Sequence, residues 1–148
     1  MMRKYSLFII GFLLVVMSAG AQIRKIPVEV TNAFAAQYPE AKNVTYGDKL
    51  KDFEVEFTLG EEKLTASYNS NGIWKGTEKT TTLSKLPQAV QEGFQKSKYA
   101  DWKVTEATIF YFSGNTEKYR IKVEKGELQR KYLHFNKNGR LTKDSRTL

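Results

Sequence analysis

The chain has no cysteine and a single histidine, His134, in 148 residues. The first absence excludes disulfide scaffolds, thiolate metal sites, cysteine nucleophiles and lipid attachment at an N-terminal cysteine. The second excludes multi-histidine metal sites. Proline occurs only at positions 27, 39 and 87. Beyond the first 21 residues no apolar run approaches the roughly 20 residues that span a bilayer. Acidic residues are the minority charge, with 16 Asp+Glu against 24 Lys+Arg and a formal net charge of +8. Apolar and aromatic side chains are plentiful, at 41% and 13%, which excludes a disordered chain. The length fits one compact domain or two very small ones.

The N-terminus reads as an export signal. Arg3 and Lys4 precede an uncharged apolar run from Leu7 to Met17, and Ala19 and Ala21 form an A-x-A pattern. This pattern predicts a signal peptide over residues 1–21, cleaved after Ala21. The alternative, a retained anchor, meets the difficulty that the run is too short to span a bilayer. The predicted location is therefore periplasmic or secreted, with no transmembrane segment after cleavage.

Behind the signal the chain matches itself. Ile26-Pro27, Val30 and Phe34 recur as Leu86-Pro87, Val90 and Phe94, and Val44-Thr45 recurs as Val104-Thr105. Phe53-Glu54-Val55-Glu56-Phe57 aligns with Tyr119-Arg120-Ile121-Lys122-Val123, and Tyr68-Asn69-Ser70-Asn71-Gly72 with Phe135-Asn136-Lys137-Asn138-Gly139. Five blocks in one order predict an internal duplication. The boundaries are residues 22–82 for the first repeat and 83–148 for the second.

Pro27 and Pro87 each open a short helix, where the missing N–H costs nothing. Pro39 should end the first helix at about Tyr38. Apolar and polar residues then alternate with a period of two, as in Phe53, Val55, Phe57 and Leu59 against Glu54, Glu56 and Thr58. Asn71-Gly72 and Asn138-Gly139 read as hairpin turns in which both residues take positive φ. The expected fold is α+β, a tandem repeat of a helix followed by a four-stranded antiparallel sheet. One sheet face is covered by the helix and the other meets water. The two units either share one sheet or pack side by side.

These blocks resemble the PepSY-like proteins, small exported bacterial proteins likened in fold to the β-lactamase inhibitory protein. The resemblance covers nearly all of Pro27 to Thr142. It implies a non-enzymatic module that binds a protein or peptide outside the cytoplasm. The inhibitory protein is disulfide-bonded and this chain has no cysteine, so no inhibitory residue is carried over.

The surface reading rests on charge and strand parity. Residues 22–80 hold eight basic and nine acidic residues, whereas residues 81–148 hold 14 and seven. With Tyr119, Ile121, Val123, Leu133 and Phe135 inward, alternation places Lys118, Arg120, Lys122, Arg130, Tyr132 and His134 on the open face. That basic patch is the candidate binding site, suited to an acidic protein surface, an anionic polymer or a lipid headgroup. An ordinary solvated sheet face is the plain alternative. Ile109-Phe110-Tyr111-Phe112 is apolar on both sides, which fits a strand covered twice, by a helix and by the neighbouring unit or a partner. Trp74 and Trp102 are either interface anchors or partly buried sheet residues.

The sequence contains no catalytic signature. His134 lacks a nucleophile elbow, and Glu54 with Glu56 is explained by strand alternation. No cofactor or metal pattern is present. The export signal argues against nucleic acid as a partner, although basic and aromatic residues interleave. The expected function is an exported binding module, inhibitor-like or otherwise, for an envelope or extracellular protein or peptide. Its alternative is an envelope protein holding an anionic surface polymer or lipid headgroup.

Overall fold

A computed structural model describes residues 25–147, so the expected signal peptide lies outside the described residues. Helix α1 (Val28–Gln37) precedes strands β1 (Lys42–Asp48), β2 (Phe53–Leu59), β3 (Glu62–Tyr68) and β4 (Trp74–Thr81). A 3-10 turn at Leu83–Lys85 leads to helix α2 (Gln88–Gln95), then β5 (Lys103–Phe112), β6 (Thr116–Lys125), β7 (Gln129–Asn136) and β8 (Leu141–Arg146).

The tandem arrangement of two helix-backed four-stranded sheets is not what forms. All eight strands make one antiparallel sheet in chain order, and the two short helices are accessory to a mostly β molecule. β4 pairs with β5 from Thr77 opposite Tyr111 to Thr81 opposite Ala107. The physical reason lies in the backbone. Two separate sheets would leave the facing edges of β4 and β5 with unpaired N–H and C=O groups, and pairing them satisfies both edges.

Residues opposite one another in a ladder share a face, as do alternate residues along a strand. Val55 stands opposite Ala66, Ala66 opposite Thr77, and Thr77 opposite Tyr111. Ile109 stands opposite Tyr119, and Tyr119 opposite Phe135. Both core clusters therefore lie on the same face. Val30 and Phe34 of α1 pack on Phe53, Val55, Phe57, Ala66 and Tyr68. Val90 and Phe94 of α2 pack with Tyr119, Ile121, Val123, Leu133 and Phe135. Helices of ten and eight residues would be marginal in isolation, so their stability comes from these apolar contacts.

Thr77 is buried between the clusters. Its hydroxyl lies 2.6 Å from the Tyr38 hydroxyl and accepts a bond from Trp74 Nε1 at 2.9 Å.

Two hairpin turns lock the helices down. Asn69 Oδ1 accepts from the amides of Asn71 and Ile73, and Asn136 Oδ1 from those of Asn138 and Arg140. Positive φ falls on Gly72 and Gly139, not on Asn71 or Asn138 as the hairpin reading had it. The asparagine side chains close the turns instead. At Gly139 a Cβ would sit 1.9 Å from the Ala89 carbonyl oxygen, so only glycine lets the turn meet α2.

Candidate functional site

No described element covers the second face of the sheet. Ladder pairing puts Lys118 opposite Asn136, Arg120 opposite His134, Lys122 opposite Tyr132, and Arg130 opposite Glu124. All six sequence-predicted residues thus stand on this one face, on neighbouring strands β6 and β7. β5 adds Phe110 opposite Lys118, Thr108 opposite Arg120 and Glu106 opposite Lys122.

Arg120 is the centre of the arrangement. Its guanidinium carbon lies 4.9 Å from the Phe110 ring centroid and 4.7 Å from that of Tyr132. A guanidinium is attracted to the negative faces of such rings. Arg120 also lies 3.9 Å from Glu106 and 3.4 Å from the Thr108 hydroxyl, while its buried Nε has no hydrogen-bond partner. The guanidinium is therefore held in place by stacking, with hydrogen-bonding capacity left over.

Phe110 and Phe112 are half-buried and stack nearly parallel, with centroids 6.4 Å apart. Lys118 Nζ lies 5.5 Å from the Phe112 ring. Gly76 of β4 sits beside them. A Cβ there would come within 3.1 Å of the Phe112 ring, and its φ of +154° lies where side-chain-bearing residues are rare. Of the two covers expected over Ile109–Phe112, the helix side is supplied and no neighbouring unit among the described residues supplies the other over Phe110 and Phe112, which leaves the partner alternative. Ile109 is buried on the helix side, but over the two phenyl rings lie only the side chains of Arg120 and Lys118 from the neighbouring strand, with no described helix or second sheet. Sequence reasoning omitted these rings from the site. Their parity was the available signal, because they share a face with Lys118 and Arg120.

The other predicted residues are more constrained than a free basic patch. Arg130 Nε pairs with Glu124 at 3.2 Å. Burial holds the His134 imidazole below its usual pKa, and the cations of Arg120, Lys143 and Lys118 add to the effect. His134 is thus neutral near pH 7. Across the sheet, burial raises the Glu78 carboxyl above the usual range. Arg120 opposes this shift, while Glu54 and Glu106 add to it.

On the uncovered face Glu54, Glu56 and Glu78 of β2 and β4 share their half of the sheet with Lys42 and Lys63, and Lys49 pairs with Glu54 at 3.4 Å, whereas β6 to β8 supply Lys118, Arg120, Lys122, Arg130 and Lys143 beside Glu124. The aromatic pair on β5 lies between. Trp74 and Trp102 are partly buried against the two cores and are not presented on this face.

An open antiparallel sheet, helix-backed on one side and bare on the other, is the fold class these features define. Residues 51–143 match the family described as "Putative beta-lactamase-inhibitor-like, PepSY-like", and the chain belongs to that family. No curated protein sequence matches the chain. Among solved structures it is similar to a DUF2874 family protein from Bacteroides ovatus, at 23% identity and a TM-score of 0.79, covering 83% of this chain and 89% of that one. It is also similar to a BLIP-like protein from Bacteroides fragilis, at 21% identity and a TM-score of 0.77, covering 84% and 89%. A third, from Bacteroides eggerthii, is described as a putative periplasmic protein, at 20% identity and a TM-score of 0.77, covering 83% and 90%. At these identities the likeness is one of fold. No helix among the described residues is long and apolar enough to cross a membrane.

Proposed function

We propose that this protein is an exported, non-catalytic module that binds a protein or peptide through its uncovered sheet face. The observation that carries the reading is the Phe110–Arg120–Tyr132 stack on a face no described element covers. Arginine and aromatic side chains held in fixed positions dominate binding energy at protein interfaces. A residue already immobilised by stacking loses little entropy when it meets a partner. The inhibitor-like description of the family and the BLIP-like and periplasmic descriptions of structural neighbours support the same reading and its placement outside the cytoplasm.

The anionic-polymer alternative is less well supported by the charges. Glu106 and Glu124 face Arg120 and Arg130, and His134 is neutral near pH 7, which leaves Lys118 and Lys122 to carry the patch's net charge. Capture from envelope extract tests the proposal. The wild-type protein is expected to retain a stoichiometric protein that the Phe110→Ala/Arg120→Ala variant loses, with partial survival at high salt. Recovery of polysaccharide alone, released by salt, would overturn it in favour of the polymer.

A further inference from the structure

We infer that the protein carries a second, separate binding site, a cationic cleft on the helix-covered side that takes an acidic sugar through its carboxylate. The cleft lies at the end of the sheet where β6 turns into β7 and where β8 ends. Its volume is about 420 Å³, and three of its lining residues are basic and none is acidic. Small-ligand sites commonly enclose roughly 300–1,000 Å³.

Ladder register accounts for the excess charge. Lys131 stands opposite the core residue Val123 on one side and opposite Arg146 on the other. Two cations therefore face each other across β7 and β8 on the covered face, an arrangement that repels unless an anion balances it. Only one of the two is balanced. Lys131 Nζ lies 3.6 Å from Asp144, but that carboxylate also accepts from the Tyr99 hydroxyl and lies 3.7 Å from Lys98. Arg146 has no ion pair or hydrogen bond among the described residues. The third basic residue, Arg130, belongs to the uncovered face by register and pairs there with Glu124 at 3.2 Å. No other carboxylate relieves Arg146. Asp101 pairs with Lys125 at 2.7 Å, and Glu127 is exposed in the turn and does not line the cleft. Arg146 is thus a guanidinium without a counter-ion, the group best suited to hold a carboxylate through paired N–H donors.

The rest of the lining selects the body of the ligand. Trp102 is half-buried, and its indole is fixed edge-to-face against Tyr99 with ring centroids 5.3 Å apart. Leu128 is 95% exposed. An aromatic wall and a nearly free leucine suit the C–H face of a sugar ring, while a few polar groups fix its orientation. Gln129 and Thr147 supply such groups, and the buried Thr147 hydroxyl has no hydrogen-bond partner among the described residues.

Titration of the full chain with glucuronate, followed by the two tryptophan indole N–H resonances, tests the inference. A Trp102→Phe variant assigns the resonances. Glucuronate is expected to shift the Trp102 resonance saturably and leave that of Trp74 in place, whereas glucose at the same concentration shifts neither. Arg146→Gln should weaken binding about 10-fold, and Arg146→Lys should recover part of the loss. Unchanged thermal unfolding of both variants would show that the exposed Arg146 acts on the ligand and not on the fold. No shift with glucuronate, or an affinity that Arg146→Gln leaves unaltered, would overturn the site. Equal shifts with acetate or sulfate would mean an adventitious ion only, and tighter binding of N-acetylphenylalanine would reassign the cleft to a peptide terminus; either overturns the sugar. None of these results bears on protein binding by the uncovered face, which lies on the other side of the sheet.

Discussion

Gly139→Ala should destabilise the fold more than any exposed-loop glycine substitution. Gly139 has φ of +75°, and a Cβ there would meet the Ala89 carbonyl oxygen at 1.9 Å and its carbon at 2.6 Å. Left-handed backbone costs a non-glycine residue about 1–2 kcal/mol. Forcing a methyl group into a packed contact adds about 1–3 kcal/mol, because the atoms it meets are backbone and cannot swing aside. The total is about 2–5 kcal/mol, a large share of the ~5–15 kcal/mol that stabilises a typical domain. Gly114 supplies the internal control. Its φ of +68° is similar, but nothing lies within 4 Å of a Cβ there. Gly114→Ala should therefore cost only the backbone part, about 1–2 kcal/mol. Urea unfolding of both variants, followed by tryptophan fluorescence, gives the two differences from the wild type. Equal losses would refute the idea that the Asn136–Gly139 turn clamps α2 by close approach.

Four further outcomes are expected. The His134 resonance should titrate with a midpoint below 6.5, and Arg120→Met should move it upward by removing one of the neighbouring cations; an unchanged midpoint would remove Arg120 from its surroundings. Because the folded pKa of His134 is lowered, this residue should cost stability as pH falls below 6.5 and cease to add cost below its folded pKa, so a His134→Gln variant should lose less stability across that window in urea titrations. The Asp144 carboxylate, which accepts from the Tyr99 hydroxyl and faces Lys131 and Lys98, has a lowered pKa. Its contribution should be present above pH 3.8 and disappear as pH falls through the folded value, so Asp144→Asn and wild type should converge in acid. Thr77→Val should cost about 1–3 kcal/mol by unfolding assay, because it leaves the Tyr38 hydroxyl and the Trp74 indole N–H without their shared partner.

Much of the covered face was legible in the residues. Phe53, Val55 and Phe57 alternate with polar neighbours and are all buried, as are Tyr119, Ile121 and Val123. The same parity carried the six candidate residues to one face, because side chains alternate whatever the strand pairs with. Strand pairing itself was less legible. The β4–β5 ladder is made by backbone groups that every residue carries, so nothing in the side chains distinguished one sheet from two. β1 showed no alternation. Its register shifts between Lys42 and Thr45, Asn43 takes φ of 52°, and Val44 is left exposed. An edge strand with a bulge needs neither pattern nor burial. The cover of the Phe110–Phe112 pair was legible only in part. Apolar residues on both sides of a strand usually mean two covering layers, and here one side is open.

The open side is the centre of the account, and in-cell photo-crosslinking tests it most directly. A photoreactive residue at position 118, on the uncovered face, is expected to form a discrete protein adduct, whereas one at exposed position 36 on α1 is not. Adducts from position 36 with none from position 118 would show that recognition occurs on the helix side.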